Sequence, residues 1–424
     1  MFRLYDQTRR RICVAAFFML CVVPTAGVAV WCVVASLPGR RQAEAQRLGQ
    51  LLGLDVSLDG FRSSRPGVVV YEGLRLSDPE TGQAALRCGA LEAEWTRLVD
   101  PQGQGRPAVV LTASTMEIEA AGADRLWQLL QRVLQSQNGR PEVEVRLTAA
   151  EMTVRGLETS QPLVHLEAGI GILPGGIQAQ AAFRLPGAEQ SEPVRVRIVR
   201  NRQIAPPANG FELDTGGNAV SCQMLWPSVA ELKPLGHASR FAGYAWARET
   251  PAGWEGEMSG RWLGVDLGSL VSDHFPHKLT GLASVSIQRA RFRRGRLEEA
   301  AGEFSAGPGT IGRTLVEAAA ASGRLARAPA ETPATELLRY DQLAMDFAID
   351  ARGITLRGRC GNVEPCTLLA AGRRRLLGEP AAQPLSIAAV IQALAPAGEI
   401  QVPASRQADW LARHLPLPEA AGPQ

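Results

Sequence analysis

The chain is almost without lysine. Lys233 and Lys278 are the only two among 45 Lys+Arg in 424 residues, so nearly all positive charge is arginine, a bias that GC-rich coding alone produces. These cations face 42 Asp+Glu with the signs interspersed, which argues against a general polyanion binder, and no nucleic-acid partner is expected. Also missing are a C-x-x-C or His-Cys cluster, an H-E-x-x-H helix, a G-x-S-x-G elbow and a nucleophile with its base. The expectation is therefore no metal, no cofactor and no enzymatic activity. Cysteine is sparse outside the N-terminus, where Cys13, Cys21 and Cys32 sit in an apolar run. Of Cys88, Cys222, Cys360 and Cys366, the last two enclose the turn-like "GNVEP", which leaves a local disulfide open in an oxidising compartment.

Long apolar runs are also missing, with one exception. Ile12 to Leu37 carries no charge and exceeds the ~20 residues a helix needs to cross a hydrocarbon core. It is read as a transmembrane helix; a cleaved signal peptide would have an apolar core of only ~7–15 residues. Arg3, Arg9, Arg10 and Arg11 precede it and Arg40, Arg41 and Arg47 follow, a bias that leans only slightly towards an inside N-terminus. The organisation expected is a cytoplasmic tail (1–11), a membrane span (12–37), β-rich regions at 38–203, 204–335 and 336–415, and a disordered tail (416–424).

Beyond the span, apolar residues recur with period two, as strands with one buried face do. Val143, Val145 and Leu147 alternate with Glu142, Glu144 and Arg146; Val194, Val196 and Ile198 alternate with Arg195 and Arg197. "DPETG" from Asp78, "LPGG" from Leu173 and "DARG" from Asp350 supply turns. About twenty strands are expected, interrupted by a helix over 124–137 capped by Asp124 and stopped near Gly139. Shorter helices are expected at 266–272, 311–321, 386–394 and 405–414, with linkers at 204–210 and 328–334. Without regular βαβ alternation the fold class is mainly β: an elongated, curled antiparallel or meandering sheet with a few helices. Strict alternation puts Val69 and Tyr71 on the face opposite Leu74 and Leu76, so the inward face stays open.

Several motifs have plain readings. "GPGTIGRT", Gly307 to Thr314, has the glycines of a phosphate loop but Arg313 in place of lysine, and reads as a strand-to-helix turn. "RARFRRGRL", Arg289 to Leu297, reads as a charged hairpin edge, with contact to anionic lipid headgroups as its functional variant. His274 and His277 in "HFPH" read as a surface loop. The carboxylate pairs Glu117/Glu119 and Glu142/Glu144 read as wet strand faces.

After the anchor, "RLGQLLGLDVSLDGF" and "RPGVVVYEGLRLSDPETGQAALRCGALEAEW" resemble the start of the AsmA-like proteins through Gly53, Val56, Leu58, Pro66, Gly67, Leu74, Leu76, Asp78, Thr81 and Gly82. "SGRWLGVDLGSLV", the stretch from Leu279 and "YDQLAMDFAIDARGITLRG" resemble that family's C-terminal region; residues 200–260 match poorly. The resemblance implies a bacterial inner-membrane protein, spanning once, whose periplasmic part is a β groove for phospholipid acyl chains in envelope lipid homeostasis. The lining it implies is Val56, Leu58, Leu74, Leu76, Val143, Val145, Leu147, Val194, Val196, Ile198, Phe347, Ile349, Ile354 and Leu356. The alternative is a scaffold or assembly factor that docks other envelope proteins and fills its apolar face with its own side chains. About twenty strands at ~4.8 Å reach on the order of 100 Å, roughly three bilayer cores, so one copy does not bridge two membranes.

Overall fold

A computed structural model describes residues 6–27, 38–99, 105–135, 143–156, 161–188, 191–225, 230–323, 325–327, 336–361, 363–381 and 383–395. Helix α1 (Asp6–Phe17) runs into a π-helical stretch, Phe18–Val22, and helix continues to residue 27. Among the described residues no helix is long and apolar enough to cross a membrane. The rest of the apolar run, residues 28–37, lies outside them, as do the expected helix at 405–414, the linker at 328–334, Glu142, Gly139 and the tail.

Helix α2 (Pro38–Leu52) precedes two short strands, β1 (Asp55–Ser57) and β2 (Gly60–Arg65), both paired with β3 (Val68–Ser77). β4 (Ala84–Val99) and β5 (Gly105–Glu119) follow antiparallel, then α3 (Ala123–Gln135) and β6 (Glu144–Arg155). β6 lies parallel to β5, so the sheet, expected as antiparallel or meandering, is mixed. A parallel neighbour needs a crossover of a dozen or more residues, and α3 supplies it. Its apolar stripe makes the helix, but it starts at Ala123, so Asp124 sits in the first turn and acts on the helix dipole instead of capping it.

The meander continues through β7 (Gln161–Leu173), β8 (Gly176–Arg184), β9 (Val194–Asn201) and β10 (Ala208–Asp214). After the two-residue β11 (Val220–Ser221), β12 (Arg240–Thr250) joins β10, and β13 (Gly253–Asp266), β14 (Leu282–Arg293) and β15 (Arg296–Ala306) extend the sheet. β16 (Gly309–Gly312), α4 (Arg313–Gly323), β17 (Leu325–Arg327) and β18 (Leu337–Tyr340) come next, with β16 and β18 forming a separate pair. β19 (Gln342–Asp350) rejoins β15 and leads to β20 (Gly353–Gly358), β21 (Thr367–Ala371), β22 (Arg374–Pro380) and α5 (Ile387–Leu394). The result is mainly β, a 20-stranded mixed sheet with a curled, meandering arrangement.

The helix expectations fare unevenly. Ser386 caps α5, its hydroxyl accepting from Ala389 N at 3.2 Å, as its position before an apolar run suggests. At 266–272 only a single π-type turn forms, Gly268–Ser272, and Ile311 belongs to β16, with helix starting at Arg313. Cys360 and Cys366, left open as a pair by the sequence, are free, one buried and one exposed; the Cys360 thiol donates to Leu368 O at 3.2 Å.

A crease explains the ambiguous faces. Gly73 has φ +62° and His165 φ +52°, left-handed conformations inside β3 and β7 that reset the alternation. Tyr71 therefore shares one core with Leu74 and Leu76, as Leu91 does with Cys88, Ala113 with Met116, Ala149 with Met152 and Leu166 with Leu163. The assignment of Val69 and Tyr71 to the opposite face is thus corrected: past the crease, odd-numbered β3 residues join the same side. A second core gathers Val265, Leu267, Leu279, Ile311, Val316 and Tyr340 with α4 and α5.

Candidate functional site

Side chains of directly opposed residues in a ladder share a face, so pairing alone traces apolar rows across the sheet. One row runs from Val69 through Ala93, Leu111, Leu147, Ala168, Ala181 and Val196 to Leu213. It continues through Ala245, Met258, Ala290, Ala300, Ile349 and Ile354. No polar residue interrupts it from β3 to β20. A second row beside it runs Trp95, Val109, Val145, Ile170, Ala179, Ile198, Phe211, Ala247, Gly256, Phe292 and Leu297.

The expected lining residues fall on this face. Val145, Leu147, Val196, Ile198, Ile349 and Ile354 belong to the two rows, while Phe347 and Leu356 oppose each other two residues further along their strands. Val194 lies two residues before Val196. Leu74, Leu76, Leu58 and Val56 reach the same core across the crease, with Val56 opposite Leu76. Val143 stands half-buried in the bend before β6.

They do not form one open lane, and here the expectation needs correcting. Val56, Leu58, Leu74, Leu76, Leu147, Val194 and Val196 are packed in the first core, against Ala45, Leu48 and Leu52 of α2 and Leu126 and Leu129 of α3. Further along α3, Leu130, Val133 and Leu134 pack on Ile177, Ala179 and Ile198. Two polar contacts hold this cover down. Tyr71 OH donates to Glu44 of α2 at 3.3 Å, and burial together with that carboxylate pushes the phenol up to about 12. Arg125 Nε lies 3.1 Å from Asp78 Oδ2 and its other end meets Glu80. Burial raises the Asp78 carboxyl, but the Glu80 N–H, the Thr81 hydroxyl and Arg125 outweigh it and hold it below the usual range. At the other end of α3, Arg202 donates to Leu134 O at 3.2 Å.

Beyond α3 the face is only partly covered: Ala290, Ala300 and Ile354 are buried, and further along β15 and β19 Phe304, Ala306 and Leu343 of the same face pack into the second core. Met258, Phe292, Leu297 and Ile349 are only half-buried and join no packed core. Ala245, Ala247, Gly256, Ala290 and Ala300 make a low floor between them. Where the covered and open halves meet, a cavity of about 320 Å³ is lined by Trp127, Gln131 and Leu134 of α3 and by Ile198, Phe211, Ala247 and Trp254 of the sheet. Asn209 edges it, accepting from Arg200 at 2.9 Å and donating to Glu249 at 2.9 Å.

The opposite face is wet. Arg146, Gly169, Gln180, Arg197, Glu212, Trp246, Glu257, Arg291 and Glu299 follow one another across β6 to β15. Arg291 lies 3.5 Å from Glu299, and Arg289 lies 3.1 Å from Glu257. The arginine-rich hairpin is therefore largely paired, as its bland reading required, and each exposed pair adds only ~0–1 kcal/mol. A wider trough of about 870 Å³ lies on this face, over Gly169 and Gly171 and between Arg146, Gln178, Arg197 and Asp214.

The decoys resolve locally. In "GPGTIGRT" the amides of Thr310, Gly312 and Arg313 donate to Thr280 Oγ1, Lys278 O and Glu336 O, so these three do not cradle a phosphate. His274 contacts Ser269 O, whereas His277 is buried between Thr314 and Ala393, and no metal-holding cluster occurs among the described residues. Glu117 pairs with Arg155, Glu119 with Arg87, and Glu144 with Arg146. Sequence reading missed Trp127, Phe211, Ala247 and Trp254. Phe211 and Leu213 do alternate in "GFELD", but alanine and glycine carry no periodic signal.

No protein-family model matches the chain, and no curated protein matches it.

Proposed function

We propose that this is an AsmA-like envelope protein, anchored by the apolar run 12–37 in the inner membrane, whose periplasmic sheet holds a phospholipid acyl chain. The supporting observation is the apolar face that stays continuous from β3 to β20 and, between the first and second cores, leaves Met258, Phe292, Leu297 and Ile349 only half-buried. A half-buried apolar strip costs free energy in water, and hydrocarbon tails relieve the cost. The wet opposite face supports a one-sided groove. Filling of the other half by α2 and α3 favours the scaffold alternative there, so the lipid-holding part is the half-buried strip from β12 to β19. The test is mass spectrometry of an organic extract of the full chain, purified in a fluorinated surfactant. Phospholipid in near-equal amount to protein is expected; a lipid-free protein would leave the scaffold reading.

A further inference from the structure

The hairpin turns β2–β3, β7–β8, β12–β13, β14–β15 and β19–β20 fall on one long rim of the sheet. β4 runs past its neighbour there. Its last partner on β3 is Val68, opposite Glu94, and Trp95 N–H donates to Gly67 O in the turn at 2.8 Å. Trp95, Arg97 and Val99 therefore stand beyond β3 on one face of their strand, and all three are exposed, the two apolar ones by 60 and 71 %. On the same rim Ile204, between β9 and β10, and Trp254, just after the β12–β13 turn, are exposed as well. From Trp95 to Trp254 the contour crosses eight strand spacings, ~38 Å at ~4.8 Å each.

The charge of this rim is unbalanced. Arg65 pairs with Glu94, Arg248 with Glu255, Arg293 with Glu298 and Arg352 with Asp350, and Arg200 and Glu249 balance through Asn209. Arg97, Arg294 and Arg296 are exposed and form no ion pair among the described residues. Exposed tryptophan beside uncompensated arginine is the composition of a membrane–water boundary.

The opposite rim exposes apolar residues too, Leu282 and Leu337, so exposure alone does not choose between the rims. The path of the chain does. Asp55, three residues after α2, pairs with Ser77 at that opposite rim, whereas Glu44 of α2 meets Tyr71, six residues back along β3. Traced backwards, the helix thus leads towards the turns, and Pro38, the residue after the apolar run, lies ~9 Å further on than Glu44.

We propose that the turn rim docks on an anionic phospholipid surface beside the anchor, with Trp95, Val99 and Trp254 at headgroup depth and Arg97, Arg294 and Arg296 on the phosphates. The inference rests on the anchored, lipid-holding reading and deepens it by giving the sheet an orientation. Phe292 and Leu297 of the half-buried strip oppose each other one residue in from Arg293 and Arg296, so a tail leaving the leaflet over the docked turns reaches the strip without crossing water.

The test uses the full chain in nanodiscs of phosphatidylcholine, alone or with an equal amount of phosphatidylglycerol, the phosphatidylcholine brominated high on its tails. Discs with phosphatidylglycerol should quench Trp95 and Trp254, read as the quenching lost in Trp95→Phe and in Trp254→Phe; discs without it, or high salt, should not. Arg97→Gln with Arg294→Gln and Arg296→Gln should weaken the docking about a hundredfold, and lysine at the same three positions should restore it. An unquenched Trp95 in phosphatidylglycerol discs overturns the docking, whatever the organic extract holds, and leaves the rim to a protein partner. Equal quenching in both discs, or quenching unchanged in the glutamine variant, also overturns it. A quenched Trp95 beside a lipid-free extract keeps the docking and removes the lipid-holding reading; a chain that does not enter the discs removes the anchor and the docking together.

Discussion

Alanine at Gly73 should cost about twice what alanine costs at Gly82. The two glycines have nearly the same left-handed backbone, φ +62° and +67°, so a Cβ at either incurs about 1–2 kcal/mol of conformational strain. Their surroundings differ. A Cβ on Gly82 meets nothing within 4 Å, whereas on Gly73 it falls 2.6 Å from the Cβ of Asp59 and closer still to its carboxylate. Asp59 has to move, and its N–H donates to Glu72 O at 2.8 Å, next to buried Leu58 and Leu74. Losing that bond and loosening the two leucines adds about 2 kcal/mol, for about 3–4 in total against about 1–2 at Gly82. Urea unfolding followed by circular dichroism reads both. In an Asp59→Gly background the cost of Gly73→Ala should fall to about the Gly82 value. Equal costs at Gly73 and Gly82 in the native background would refute the crease.

Three further outcomes follow from the same structure. His277 is 2 % exposed, with Nδ1 accepting from the Thr314 hydroxyl and Nε2 donating to Ala393 O, and burial holds its pKa below 6.5 despite the latter bond. The unfolded chain binds this proton more tightly, so stability should be complete above about pH 6.5 and fall progressively below it; His277→Asn should flatten that slope in urea titrations. Arg125→Ala should raise the Asp78 carboxyl and unpin the start of α3, seen as faster amide exchange confined to residues 123–135; unchanged exchange would mean the apolar stripe alone holds the helix. Met258→Asp with Ala247→Asp should abolish lipid retention while the far-ultraviolet dichroism stays native; undiminished retention would move the lipid elsewhere.

How much of this was legible in the sequence depended on whether a signal was local. Strands around Val145 and Val196 follow from alternation, the α3 stripe from its 3.6-residue period, and the α5 cap from Ser386. The face reset at Gly73 and His165 was not legible, because a single left-handed residue in a strand looks like any glycine or histidine until its φ is known. The parallel pairing of β5 with β6 was hidden too, since a helix between two strands is compatible with either direction. The cover over the groove followed last: α3 announces an apolar face, but only the fold determines that this face lies on Ala179 and Ile198. The open half escaped notice because its floor is alanine and glycine, which no periodicity separates from filler.

Photocross-linking in living cells tests the central claim most directly, with a benzophenone amino acid placed in the full chain at Met258, on the open apolar row, or at Trp246, on the wet face. The account predicts lipid adducts at Met258 and none at Trp246, read by mass spectrometry of the purified protein. Adducts at both positions, or at neither, would contradict it.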